Sequence, residues 1–98
     1  MEKGTPHHKL SIVKSLIKDD HVQVTNAARR GATALGFGFD DMLAVILALD
    51  SADFYKSMTT YLNHQIWQDV YRSMTPAGEV YLKLTIIDDV LIVSFKEL

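Results

Sequence analysis

No cysteine occurs in the 98 residues. Disulfides and thiolate chemistry are therefore excluded, and the chain suits a reducing compartment without requiring one. No apolar run approaches the ~20 residues needed to span a bilayer. The opening Met-Glu-Lys-Gly-Thr-Pro holds no apolar run of the signal-peptide kind. Proline occurs twice and glycine five times, and no low-complexity segment, linker or internal repeat is visible. There is no excess of positive charge either. Ten basic side chains face twelve acidic ones, giving a formal net charge of -2 and a pI near 6.0. Bulk charge therefore makes no case for nucleic-acid binding, and any such role must rest on where the charges sit.

What is present is an ordinary globular composition, 48% hydrophobic and 22% charged, which is wrong for disorder. The length predicts one domain over residues 1–98, with a helical half at about 6–50 and a sheet half at about 53–97. Thr5-Pro6 is a capping dipeptide and predicts the start of a first helix. Leu10, Val13 and Ile17 recur at helical spacing, widened by Ile12 and Leu16. Asp19-Asp20 is unfavourable at a helix C-terminus and predicts that the helix has ended. His21-Val-Gln-Val-Thr25 reads as a short strand with Val22 and Val24 inward. Thr25 then caps a second helix, Asn26 to Leu35, which Gly36 ends. Its Ala27, Ala28, Gly31 and Ala32 permit close packing but make the helix intrinsically weak. Gly36-Phe-Gly-Phe39 lacks the ending of a phosphate loop and reads as an interhelix turn anchored by two phenylalanines. Asp40 or Asp41 caps a third helix, Met42 to Leu49, apolar on nearly all sides and expected to bury against the sheet.

The second half switches to period two. Asp53 to Tyr61 and Ile66 to Arg72 read as strands joined through Leu62-Asn-His-Gln65. Ser73 to Gly78 reads as a loop into a final hairpin, Glu79 to Lys96, rich in β-branched and aromatic residues. A two-residue turn at Asp88-Asp89 sets Ile87 opposite Val90, Ile86 opposite Leu91, Leu84 opposite Val93 and Leu82 opposite Phe95. The other face then carries Thr85 with Ile92, Lys83 with Ser94 and Tyr81 with Lys96. In the preceding strand, Trp67 and Tyr71 belong to the oily face, so Gln68 and Arg72 join Tyr81, Lys83 and Lys96 on the polar one. This register sends Asp69 towards the helices, where it needs a partner. The strand before it is ambiguous: a two-residue turn at Asn63-His64 puts Tyr55 on the polar face, and a one-residue slip puts Lys56 there. Helices followed by four antiparallel strands predict an α+β domain with the helices on the oily face.

From Asp53 onward four bases meet six acids, yet Arg72, Lys83 and Lys96 share one face, where among paired positions only Glu79 opposes them. A local cationic strip on a near-neutral protein still holds phosphate, because fields act over about one Debye length. Other constellations are weak. His7, His8, His21 and His64 have no metal-ligand spacing and read as surface residues. The acid pairs at 19–20, 40–41 and 88–89 read as helix-end, cap and turn residues, and no nucleophile elbow is present.

Four stretches, Asp-Phe-Tyr-Lys-Ser-Met-Thr-Thr-Tyr (53–61), His-Gln-Ile-Trp-Gln-Asp-Val-Tyr-Arg (64–72), Val-Tyr-Leu-Lys (80–83) and Val-Leu-Ile-Val-Ser-Phe-Lys (90–96), resemble the motility quorum-sensing regulator toxin family. The amino-terminal Met-Glu-Lys-Gly-Thr-Pro-His and the helical half are similar too. The resemblance implies a RelE-like α+β fold with an antiparallel sheet. It implies a type II toxin, a metal-independent endoribonuclease that cuts mRNA at GC-containing sites in the cytoplasm without a cofactor. It implies a cognate antitoxin that neutralises the toxin and supplies DNA binding, so that neither direct DNA binding nor a membrane role is expected. The family's proposed active-site residues match Lys56, Gln68, Tyr81 and Lys96. The match also resolves the ambiguous strand, because Lys56 joins Gln68 on the polar face if the turn is longer than two residues. Arg72 and Lys83 are expected to bind substrate. The slightly acidic pI departs from the basic character of RNA-cutting members.

These residue types suit attack by a 2′-hydroxyl on the adjacent phosphorus, which needs a base, an acid and stabilisation of an anionic phosphorus. Lys96 beside Tyr81 supplies charge and proton transfer, Lys56 clamps phosphate, and Gln68 orients phosphate or reads a base edge. The competing reading is a non-catalytic interaction module on the same fold, binding a partner through a sheet edge or the polar face. The acidic pI favours that module, and the four matched residues favour the nuclease.

Overall fold

The computed structural model describes residues 1–98. In chain order the elements are β1 (Glu2–Lys3), α1 (Leu10–Lys18), β2 (Val22–Val24), α2 (Asn26–Ala34) and α3 (Phe39–Leu47). A single 3-10 turn at Ser51–Asp53 leads into β3 (Phe54–Thr59), β4 (Trp67–Thr75), β5 (Gly78–Ile87) and β6 (Asp89–Glu97). The sheet order is β1-β3-β4-β5-β6-β2. The four long strands form an antiparallel meander. β1 extends it antiparallel beside β3, and β2 adds a parallel strand beside β6. The helices pack on one face, as an α+β domain requires, and the sheet is mixed because of β2.

The core lies between that face and the helices. Val13 and Ile17 of α1, Ala28 and Ala32 of α2, and Met42 and Ile46 of α3 meet Tyr71, Val80, Leu82, Leu84, Val90, Ile92 and Phe95. α2 lies directly on β6, whereas the closest neighbours of α3 are α1 and α2. The small residues of α2 explain its position. A Cβ built on Gly31 would sit 1.9 Å from the Phe95 carbonyl oxygen. Local signals for α2 act as expected. Thr25 Oγ1 accepts from the Ala28 amide at 3.1 Å. Gly36, at φ +80, ends the helix in the left-handed region that suits glycine. In the following turn Phe37 packs on Phe95, 5.7 Å between ring centroids, while Phe39 is exposed and already opens α3. Asp41 then lies in the first turn rather than at the cap, and accepts from the Gly38 amide at 2.8 Å.

Thr5-Pro6 does not open the first helix, which begins four residues after Pro6, at Leu10. The reason is Asp69. Its register does send it to the core side, where it is 1% exposed. Its partners are two amides: His7 N–H donates to Oδ1 at 3.0 Å and His8 N–H to Oδ2 at 2.8 Å. A buried carboxylate thus takes the donors that a helical first turn would have left free. His7 also stacks on Trp67, and Lys3 lies over the same indole at 4.2 Å. Burial first, then Lys3 and His8, lower the pKa of His7, against an opposing pull from Asp69. Neutral Nδ1 can therefore accept from the Lys3 ammonium at 2.9 Å. Asp69→Asn keeps one acceptor and sets an NH2 group against the second amide. It should cost about 1–3 kcal/mol in urea unfolding. A midpoint equal to that of the unmutated protein would show that the segment carrying His7 and His8 is held by other contacts.

Three expectations about the strands are corrected. The β4–β5 connection is short: β4 runs to Thr75, which pairs with Gly78. Thr75 Oγ1 accepts from the Ala77 amide, and Gly78 takes φ +103, so the chain reverses within Pro76-Ala77. The last hairpin has only Asp88 at its tip, at φ 63, and Ile87 pairs with Asp89. The register near that tip is therefore one residue off the expected one, with Leu84 opposite Ile92 and Thr85 opposite Leu91. A bulge at Val93 restores it, so that Lys83 still faces Ser94, Leu82 Phe95 and Tyr81 Lys96. The bulge lets both Ile92 and Phe95 reach the core, each at 0% exposure. A two-residue turn at Asn63-His64 does not form. β3 ends at Thr59, paired with Trp67, and Tyr61 is 95% exposed in the long connection.

A candidate active site on the polar sheet face

Strand partners share a face, and so do residues two apart. Lys56 pairs with Val70, Val70 with Lys83, and Lys83 with Ser94. One row along, Arg72 pairs with Tyr81 and Tyr81 with Lys96. On the other side Met58 pairs with Gln68. All six expected site residues, Lys56, Gln68, Arg72, Tyr81, Lys83 and Lys96, therefore stand on one face of four consecutive strands. It is the face opposite the helices.

The ambiguity in β3 has a physical resolution. The register shifts between Phe54 and Lys56, leaving Tyr55 as a bulge residue. Phe54 turns to the core, edge-on to Tyr71 at 5.6 Å, and Lys56 turns to the polar face. Tyr55 also reaches the polar face: the Arg72 guanidinium lies 3.7 Å from its ring centroid, and Lys56 Nζ 5.4 Å from it. Simple alternation offered either Tyr55 or Lys56; the bulge delivers both.

Two aromatic rings thus organise four cations. Tyr55 carries Arg72 and Lys56. Tyr81 lies between Lys96, with Nζ 5.3 Å from its ring centroid, and Lys83, at 5.9 Å. Ring faces attract cations, which holds long, mobile side chains near one another without neutralising them. Lys83 is the most confined of these lysines electrostatically. Partial burial pulls its pKa below the usual lysine value, and Lys96 and then Lys56 add to the pull. Three ammonium groups that repel one another are an unfavourable arrangement in the free protein, and a bound anion relieves it. Chemically, this face can hold phosphate, donate protons and orient a phenol.

One acid reaches the face that strand counting missed. Glu79 does share it, opposite Met74, but makes no ion pair. Glu2 of β1 pairs with Met58, and its carboxylate lies 3.2 Å from Lys56 Nζ. No local signal marks Glu2, because its position depends on a strand pairing across more than fifty residues. Tyr55 was signalled only as one of two alternatives.

Comparison with known proteins agrees along nearly the whole chain. The family model described as motility quorum-sensing regulator, toxin of MqsA, matches residues 5–97. The mRNA interferase toxin MqsR of Escherichia coli (strain K12) is 58% identical over 97 residues, spanning 99% of this chain and 99% of its own. A single model and a full-length relative thus agree on the chain that builds this face, and the protein belongs to the motility quorum-sensing regulator toxin family.

Proposed function

We propose that this protein is an mRNA-cleaving toxin of a type II toxin–antitoxin pair, working through the cationic sheet face. The observation that carries the reading is the clustering of Lys83 and Lys96 about Tyr81 with Lys56 beside Tyr55 on the same face, close enough for Lys96 and Lys56 to act on the charge of Lys83. The family name and that of the relative support it. The 2′-hydroxyl attacks the adjacent phosphorus, its proton passes to a base, and the P–O5′ bond breaks as the 5′-oxygen takes a proton. The products are a 2′,3′-cyclic phosphate and a 5′-hydroxyl end. Lys96 and Tyr81 serve charge stabilisation and proton transfer. Lys56, Lys83 and Arg72 hold phosphate, and Gln68 orients phosphate or a base edge. No step requires a metal, and cleavage falls at GC-containing sites. A cognate antitoxin neutralises the toxin and supplies the DNA contact, and the pair acts in the cytoplasm. No helix is long and apolar enough to cross a membrane.

The test is cleavage of a long single-stranded RNA in EDTA, with end-group analysis, by antitoxin-free folded protein. Cyclic-phosphate ends support the reading. No cleavage, with or without ribosomes, would favour the non-catalytic interaction module instead.

The lowered pKa of Lys83 gives this face a pH signature. Protonated Lys83 attracts phosphate, so RNA affinity should fall as pH rises through its depressed pKa, earlier than for an ordinary lysine. Lys83→Arg keeps its charge throughout and should flatten this limb. Binding of an uncleavable 2′-O-methyl RNA, followed from neutral pH up to the ordinary lysine pKa of about 10.4, measures it. An identical alkaline limb in the Arg variant would remove Lys83 from the contact.

A further inference from the structure

The one acid paired with a site lysine is Glu2. β1 lies at the sheet edge with Glu2 opposite Met58 and Lys3 opposite Ser57. Met58 is two residues from Lys56, so β1 delivers the Glu2 side chain to the cationic face. The carboxylate meets Lys56 Nζ at 3.2 Å. The two partners differ in freedom: the Glu2 side chain is 58% exposed and that of Lys56 27%. Lys56 is held beside Tyr55, while Glu2 has open solvent to turn into. Its backbone is fastened independently, since the Thr59 amide donates to the Met1 carbonyl at 2.9 Å and Lys3 lies over Trp67. The carboxylate can therefore leave Lys56 by side-chain rotation, with the strand still paired.

A carboxylate and a phosphate offer an ammonium the same thing, an anionic oxygen that accepts a charge-assisted hydrogen bond. They also repel each other at close range. We propose that Glu2 is the resident anion of this face: it occupies Lys56 in the free protein, and a backbone phosphate of the RNA displaces it. Glu2 is thus a positioning residue that holds the Lys56 ammonium in place, and limits how tightly RNA is gripped. It also lessens the repulsion among Lys56, Lys83 and Lys96 while no substrate is bound. This assignment rests on the nuclease reading above.

A double-mutant cycle tests it. The probe is a short single-stranded 2′-O-methyl RNA containing GC, which lacks the attacking hydroxyl. Its Kd is measured by fluorescence anisotropy for the unmutated protein, Glu2→Gln, Lys56→Ala and the double variant. Glu2→Gln should bind about two- to fivefold tighter at low salt, the range expected for losing an exposed competing ion pair. The gain should shrink as salt rises and vanish in the Lys56→Ala background. A purely structural role for Glu2 would not produce tightening that depends on Lys56. Unchanged or weaker binding by Glu2→Gln would overturn the proposal. So would an equal gain without Lys56, which would mark a general charge effect. If the unmutated protein neither binds the probe nor cleaves RNA, the nuclease reading fails and this proposal with it. Binding by the unmutated protein with no Lys56-dependent effect of Glu2 removes this proposal alone.

Discussion

Lys96→Ala should slow metal-free RNA cleavage by roughly 10²-fold or more, the range for losing a positioned proton-transfer or charge-stabilising group. The expectation follows from place. Lys96 lies directly opposite Tyr81 in an antiparallel pair, and its ammonium is 5.3 Å from the ring centroid. It is exposed and adjoins Phe95, which is wholly buried. The backbone is therefore anchored by the neighbour, and the lysine side chain contributes little to packing. Its loss should change stability by no more than about 0.5 kcal/mol. The loss of rate should appear in kcat as well as kcat/KM, because charge is stabilised only as the phosphorus becomes crowded. Lys96→Arg separates the two duties. Arginine keeps the charge but is a poor proton carrier, so it should recover RNA binding more fully than turnover. Single-turnover kinetics on a defined RNA, with end-group analysis, reads both. A Lys96→Ala protein that cleaves at the unmutated rate would remove Lys96 from the site.

Gly31→Ala should destabilise the fold, although alanine is the better helix former. Propensity favours the change by about 1 kcal/mol. Packing opposes it more strongly. The new Cβ would stand 1.9 Å from the Phe95 carbonyl oxygen and 3.1 Å from its carbonyl carbon. Backbone cannot step aside as a flexible side chain can, and overpacking of this kind costs about 1–3 kcal/mol, occasionally more. We expect a net loss of about 2 kcal/mol, or a fall in Tm of roughly 10 °C. The same Cβ would lie 3.5 Å from the Lys96 Cα. α2 is thus the backing of the strand that carries Lys96, and relief of the clash by shifting β6 would move the site as well. Thermal and urea unfolding measure the first effect, and residual cleavage by the folded fraction the second. A variant more stable than the parent would mean that α2 can lift off β6 without cost.

Much of the site was legible in sequence because strand geometry is so restrictive. A period of two placed Tyr81 with Lys83 on one face of their strand, the oily Trp67 and Tyr71 put Gln68 and Arg72 with them, and counting outward from the turn added Lys96. The expected turn at Asp88-Asp89 was wrong by one residue, yet the bulge at Val93 offset it before the functional pairs were reached. Agreement at Tyr81 and Lys96 therefore came with an incorrect count at the tip. In β3 the alternation argument failed for a related reason. It assumes a regular ladder, and the bulge at Tyr55 breaks that assumption where a core phenylalanine and a site lysine need opposite faces.

By itself the sequence determined the class of fold, the helical caps at Thr25 and Gly36, the inward faces of β4 and β5 and the identity of the cationic residues; the faces of β3 and of Ile92 in β6 were decided by bulges. The former follow from local stereochemistry and from the separation of oily and polar side chains. It also forced a buried acid at Asp69 without naming its partner. Only the tertiary structure decided that the partner is the amide pair of His7 and His8, which keeps the first residues out of α1. Only it brought Glu2 onto Lys56 and Gly31 against Phe95. These contacts join residues more than fifty positions apart. No local preference encodes them, because the free energy that fixes them comes from the sheet closing as a whole.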